Sequence, residues 1–429
     1  MKTCVLVGSG GRGTNSYIEP ITKSFADTVK MVGLYDTNHL RAEASARMAS
    51  YDIPVFTDWD KMLKETKPDI AIVTSVDATH HKYIISALEA GCDVISEKPL
   101  TTDDEKLRAI CEAEKRTGKK VTVTFNCRFM PPFMRLKELV KSGIIGDVFS
   151  VNYQWLLDTE HGASYFRRWH SEYKNSGSLL IHKSTHHFDI LNWILESDPA
   201  RVSAFGKRLY YGSENGESKG THCHNCTDPQ HCRFYSDEFT GKIYNPKLFF
   251  ECSHIDGYTP DLCVYRKEID IPDTVTMNIE YKNGTIATYS LTAHSPFEGA
   301  ILVLNGSEGR LEFESIAGSG TYAGMVTQHI RVYDRYGQKV DYELPQNLIT
   351  QTMRDNGPLA KSMDLDGGHG GSDSMLRYAL FNGLESDPLG LMADLKAGAM
   401  SIGIGIAANI SMRENRTVSL GEFLPKFDK

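Results

Sequence analysis

The chain has no run of about 18 consecutive apolar residues, so nothing in it reads as a membrane span. It also has no basic excess. Its 47 Lys and Arg face 55 Asp and Glu for a net charge of −8, which argues against nucleic acid or an anionic membrane as the main partner. The opening MKTCVLVGSGGRG lacks the apolar stretch and small-residue cleavage site of a secretory signal. Nine cysteines, an odd number, then suggest reduced thiols in the cytoplasm, some of them available to hold a metal. Internal repeats and low-complexity tracts are missing too. What remains is ordinary: 41% hydrophobic and 24% charged residues over 429 positions, enough for two or three domains with full cores.

Residues 3–8, Thr-Cys-Val-Leu-Val-Gly, read as a buried parallel strand. Gly8-Ser9-Gly10-Gly11-Arg12-Gly13 follows at once and fits G-x-G-x-x-G. Gly8 permits the tight turn, Gly10 lets backbone approach a pyrophosphate, and Gly13 lets the next helix pack near the strand. That helix presents its N-terminus to the phosphates. A second apolar run, 29–35, ends in Asp36, which lies 23 positions beyond Gly13 and suits an adenine ribose hydroxyl. A carboxylate there repels a 2′-phosphate, so NAD is expected over NADP, with Arg12 and Asn38 near enough to soften the preference.

The alternation continues through runs at 68–74, 92–96 and 120–125, with helices at 81–90 and 102–117 between them. This rhythm predicts a doubly wound parallel sheet of Rossmann type. Gly11, Arg12, Thr74, Asp77, His80 and Glu97 fall on its loops and helix starts and are expected beside the cofactor; for Asp77 and His80, helix capping is the alternative.

Glu97-Lys98-Pro99 ends one of these strands, downstream of the glycine fingerprint. With the later G-x-x-x-x-x-x-x-x-H-x-x-D spacing from Gly177 to His186 and Asp189, it resembles the Gfo/Idh/MocA oxidoreductases, over essentially the whole chain. The resemblance implies that Lys98, as an ammonium, stabilises charge growing on an alcohol oxygen, and that a cis bond precedes Pro99. It implies that His186 takes the alcohol proton. His182 stands where many relatives carry aspartate and Ser184 replaces a glycine, which leaves open which group finally accepts the proton. On one continuous helix His182, His186 and Asp189 would share a face. Lys183 adds a further cation.

Asn126 and Arg128, in Asn126-Cys127-Arg128-Phe129, match the family's N-x-R-[FY]. Asn126 is expected near the nicotinamide ribose and Arg128 lining the substrate cleft, with a structural ion pair as the alternative for Arg128. Arg168 and Trp169 resemble a segment that approaches the nicotinamide in some relatives, and core packing would account for them equally well.

The nucleotide domain is thus expected over 1–126 and a second domain over 127–429. Alternating runs at 148–155, 201–210, 274–282, 285–293, 300–305 and 309–314 predict an α+β domain with a large, mostly antiparallel sheet. Helices at 373–383 and 389–409 are expected to return to the first domain. In the family such a sheet makes homodimers or homotetramers. An insert at about 212–272 carries Cys223, Cys226, Cys232 and Cys263 (Cys252 being the other option for the fourth), a pattern suited to structural zinc. The loop 367–373, Gly-Gly-His-Gly-Gly-Ser-Asp, resembles segments of sugar-handling relatives and places His369 at a sugar pocket, or else merely caps the next helix.

The leading expectation is an NAD-dependent dehydrogenase acting on a secondary hydroxyl of a sugar, glycoside or cyclitol. Its rival is an NAD-dependent glycosidase working by transient oxidation, elimination and re-reduction. A non-catalytic NAD sensor is the third reading.

Overall fold

The computed structural model describes residues 1–237, 245–318, 324–345, 347–364 and 368–427. The chain divides into two compact units. The first comprises Met1–Thr124, Tyr165–Gly177 and Tyr211–Asp270; the second comprises Phe125–Ser164, Ser178–Tyr210 and Ile271–Lys429. The insert, expected inside the second domain, therefore packs with the nucleotide half, as does the short segment around Trp169.

In the first unit, β1 (Lys2–Val7), β2 (Val29–Tyr35), β3 (Val55–Phe56), β4 (Ile70–Val73), β5 (Asp93–Ser96) and β6 (Val121–Val123) run parallel in the order β3-β2-β1-β4-β5-β6. β1 and β4 are buried along nearly their whole length, as strands covered on both faces must be. The strand order reverses between β1 and β4. A crevice opens beyond their carboxyl ends, where open α/β sheets bind ligands. Helix Asp104–Thr117 shows how local chemistry fixes an element. Asp103 caps it by accepting from Lys106 N–H, its first turn is acidic, its last turn is basic, and Gly118 stops it at φ 69°.

The second unit holds β7 (Val148–Asp158), β8 (Pro199–Lys207), β9 (Thr274–Tyr281), β10 (Ile286–Ser295), β11 (Phe297–Gly306), β12 (Gly309–Gly318), β13 (Val326–Asp334) and β14 (Lys339–Glu343). Their order is β14-β13-β12-β11-β7-β10-β9-β8, with the two-residue strand Val418–Ser419 beyond β8. Only the β7–β10 pairing is parallel among the described residues. β13 and β14 escape sequence reading because their alternation is broken by polar residues, as in Val-Thr-Gln-His.

Tyr153, Tyr289, Leu291 and Leu302 pack on the inner face of this sheet. Helix Leu395–Glu414 is long and apolar enough to cross a bilayer, but it packs against β8 and against helices Leu179–His182 and Thr185–Leu195, with most of its apolar stretch buried inside the protein. Gly405 permits close approach to the first of these helices: a Cβ there would fall 2.7 Å from the Leu180 carbonyl oxygen.

Candidate active site

The first unit builds a cleft of about 440 Å³ over the glycine loop and the ends of β1, β2 and β4. Its glycines divide by task. Gly8 lies at φ 95°, and a Cβ there would sit 2.5 Å from Ser75 N. A Cβ on Gly13 would come within 2.2 Å of the Gly8 carbonyl oxygen. At Gly10 the same atom would meet nothing within 4 Å. Two glycines are thus needed for packing, while the third leaves open space where a dinucleotide phosphate would lie. Thr74 Oγ1 ties the loop together by donating to the carbonyl oxygens of Val7 (2.9 Å) and Gly8 (2.6 Å). The helical stretch from Gly11 to Ser24 begins at this space and contains a π-helical turn, Thr14–Ile18.

Asp36 closes the far end. Its carboxylate accepts from Ser9 N–H (2.8 Å), Asn38 N–H (2.8 Å) and Arg41 Nη1 (3.3 Å). Burial pushes this carboxyl upward, while Arg41 and the two backbone donors pull it back. These features fit a dinucleotide: space at the loop, amides for phosphate, and a fixed acid for ribose hydroxyls.

Lys98 follows β5, and the Lys98–Pro99 peptide is cis. Neighbouring acids define its surroundings. Glu97 is engaged by Arg12 Nε (2.8 Å) and Tyr17 Oη (2.7 Å). Asp77 is buried, which pushes its carboxyl well above the usual range, while the Lys98 ammonium works in the opposite direction. His80 bridges Pro99 O (2.8 Å, from Nδ1) and Ser75 O (2.9 Å, from Nε2), so it links the lysine's turn to the β4 loop. Two carbonyl acceptors suit an imidazolium, yet burial lowers the His80 pKa and outweighs them.

In the second unit the histidine segment is not one helix. Helix Leu179–His182 stops at Lys183, and a new helix, Thr185–Leu195, begins two residues later. His186 and Asp189 keep their spacing on the second helix, but His182 lies on the first, so the continuous stripe expected from sequence is broken. Both histidines are buried, and Phe125 meets His186 edge-on at 6.0 Å. Lys183 Nζ lies 5.3 Å over the Trp155 ring. His187 is structural: it stacks on Trp155 at 3.9 Å and its Nδ1 pairs with Tyr289 Oη at 2.7 Å.

Arg128, expected along the substrate cleft, has all three guanidinium nitrogens engaged. Nε and Nη2 donate to Asp189 at 2.8 and 2.6 Å, and Nη1 donates to Gly390 O at 2.7 Å. Asn126 Nδ2 donates to Asp373 Oδ1 at 2.7 Å, and Asp373 Oδ2 pairs with His369 Nδ1 at 2.9 Å. Asp373 thereby connects two predicted site residues, a role its position as a helix cap concealed. Gly367 of the same loop lies outside the described residues.

Residues 2–125 match an oxidoreductase family with an NAD-binding Rossmann fold, and residues 137–420 match that family's C-terminal alpha/beta domain. The chain belongs to the Gfo/Idh/MocA oxidoreductases. YteT of Bacillus subtilis, named as an oxidoreductase, is 33% identical across 98% of both chains. An inositol 2-dehydrogenase of Paracoccus denitrificans is 30% identical over 45% of this chain and 54% of its own. A D-glucoside 3-dehydrogenase of Escherichia coli is 31% identical over 28% of this chain and 34% of its own. Among solved structures, an NAD binding oxidoreductase from Klebsiella pneumoniae shares the fold with a TM-score of 0.66 at 15% identity, over 98% of each chain.

Within this family fold the insert departs from the zinc expectation. The His222–Leu262 bridge brings Cys223 and Cys263 together, but among the described residues no three His, Cys, Asp or Glu side chains gather as a metal site. Cys226 and Cys232 do not complete the set, and Cys223 is a free thiol pushed up to about 11 by burial. The nearby His224 is engaged by Asp261 at 2.7 Å. C-x-x-C spacing fixes a turn; it does not bring in distant ligands.

The cleft wall also contains residues that sequence reading passed over. Arg168 and Trp169 line it, and His170 joins them, with Trp169 stacked on it at 3.7 Å. Burial, then Arg168 and Lys98, hold the His170 pKa well below its ordinary value. The folded state therefore refuses a proton that the unfolded chain accepts below about pH 6.5. Above that pH the group costs nothing. As pH falls below it, stability drops by about 1.4 kcal/mol per unit for this histidine. His170→Gln is expected to flatten the decline between pH 6.5 and 5 in urea unfolding titrations; an unchanged slope contradicts this.

Proposed function

We propose that the protein is an NAD-dependent dehydrogenase acting on a secondary hydroxyl of a sugar, glycoside or cyclitol. The observation that carries this reading is the pairing of an intact dinucleotide cleft with a lysine fixed at the adjoining strand end. Lys98 sits among Asp77, Glu97 and His80, an environment that holds an ammonium in place. In the proposed mechanism that ammonium donates to the substrate oxygen and stabilises the charge developing there. His186, at the start of a helix pinned by Asp189, receives the hydroxyl proton, with His182 as the second imidazole. NAD, when bound, supplies the hydride acceptor. Lys183 and His369 are assigned to the polar wall that holds the remaining hydroxyls. The dehydrogenases of inositol and of D-glucoside among the relatives support this substrate class.

The nine cysteines, none of them in a disulfide among the described residues, fit a reducing compartment, and we place the protein in the cytoplasm. Self-association is assigned to the outer face of the large sheet, where Phe205 exposes its ring beside Thr276 and a polar row runs through Asn152, Thr288 and Asn278.

The test is a panel of sugars, cyclitols and nitrophenyl glycosides, followed by NADH absorbance and product mass. One NADH per keto product supports dehydrogenation. Nitrophenol release without net NADH transfers the assignment to the elimination route, for which the His369–Asp373 pair would supply a second acid–base group. NADH binding with no turnover across the panel favours a sensor and overturns the enzyme reading.

A further inference from the structure

We propose that the insert segment Pro246–Tyr258 is part of the dinucleotide site: Phe249 is an apolar wall for the adenosine, and Asp256 locks Arg41 so that the site takes NAD and refuses a 2′-phosphate. The proposal deepens the NAD reading and rests on it.

Arg41 lies on helix His39–Ala46, one turn beyond the ribose acid Asp36. A basic side chain there would ordinarily serve a 2′-phosphate. In this chain it is already committed. Nη1 reaches Asp36 Oδ1 at 3.3 Å, Nη2 reaches Asp256 Oδ2 at 2.7 Å, and Nε donates to Leu248 O at 2.8 Å. Asn38 Nδ2 adds a bond to Cys252 O at 2.9 Å, so two side chains of the Rossmann unit hold the insert's backbone. One guanidinium between two carboxylates leaves the cluster with a net negative charge. A 2′-phosphate brought to it would meet repulsion from two carboxylates and a guanidinium already engaged at all three nitrogens. A ribose hydroxyl would meet a carboxylate already held in position.

Phe249 completes the wall. Its ring centre lies 5.8 Å from Arg41 Cζ, and its tip would be 4.0 Å from a Cβ placed on Gly11. The ring therefore spans the cleft from the acid's helix to the phosphate loop. A flat apolar surface there offers a purine a stacking partner and keeps water from the adenosine end.

The experiment measures NADH and NADPH binding to the full-length protein by nicotinamide fluorescence, with release rates by stopped flow. Wild type is expected to favour NADH by at least 100-fold. Asp256→Asn releases Arg41 from one carboxylate and is expected to tighten NADPH at least tenfold while NADH shifts less than threefold. Phe249→Ala is expected to weaken both cofactors about tenfold and to speed release, with Phe249→Tyr restoring them. A merely structural ring would lower the unfolding midpoint of the cofactor-free protein without a faster release rate. NADPH binding unchanged by Asp256→Asn, together with NADH binding and release unchanged by Phe249→Ala, overturns the clamp alone. Should Phe249→Ala not fold, the Asp256→Asn ratio decides. Failure of wild type to bind either cofactor overturns both the clamp and the NAD reading.

Discussion

Replacing Lys98 with methionine is expected to lower kcat by about 10²–10³ while NADH binding stays within about threefold, because removal of one preorganised donor at a developing oxyanion costs roughly that factor. Methionine keeps most of the unbranched apolar stem and removes the ammonium, with its charge and its N–H donors. The variant should also fold. Lys98 is the cation that favours the ionised form of buried Asp77, and burial already pushes that carboxyl upward. Without the ammonium Asp77 takes up a proton, so no bare charge is stranded in the first unit. Steady-state kinetics with the best substrate of the panel, beside fluorescence titration of NADH, separates the two effects. Turnover near the wild-type value removes Lys98 from the chemistry. Lost turnover together with lost NADH binding would mean that the lysine serves the cofactor instead.

The fold was legible wherever one local rule dominated. Buried runs without alternation marked β1 and β4, a mostly apolar run marked β2, and the glycine spacing marked the turn that Gly8 and Gly13 need for backbone clearance. The family signature around Lys98 led to the cis peptide found there. The reading stopped short where the deciding partner was distant in sequence. For Arg128 a cleft role and a structural ion pair both stayed open, because Asp189, which takes two of its nitrogens, lies 61 positions later. Arg41 and Phe249 were silent for the same reason, being brought together by contacts across more than 200 positions. The unbroken histidine stripe failed more locally. Lys183, at φ −99° and ψ −52°, closes one short helix, and helical periodicity cannot foresee a break that introduces neither Gly nor Pro.

Breaking the Arg128–Asp189 pair is expected to give the largest loss of stability. Both partners are almost wholly buried, with side-chain exposures of 7% and 1%. The guanidinium also lies 6.0 Å from the Phe125 ring centre and 5.8 Å from that of Trp193, so little water can reach it. Arg128→Leu leaves a buried carboxylate with no cation and removes the donor to Gly390 O. Removal of one partner of a buried pair costs about 3–5 kcal/mol. For a unit of this size that corresponds to a fall in melting midpoint of roughly 6–20 °C. The double variant Arg128→Leu/Asp189→Leu should recover a substantial part of the loss, because the stranded charge, more than the missing attraction, carries most of the penalty. Asp189 lies one turn after His186 on the same helix, so its pairing also sets where that helix begins. Asp189→Asn, which keeps a neutral acceptor for Arg128, should therefore cost less stability than Arg128→Leu and still lower kcat. A melting midpoint for Arg128→Leu within about 2 °C of wild type would show that solvent or protonation of Asp189 compensates, and that the pair does not hold the helix carrying His186 in place.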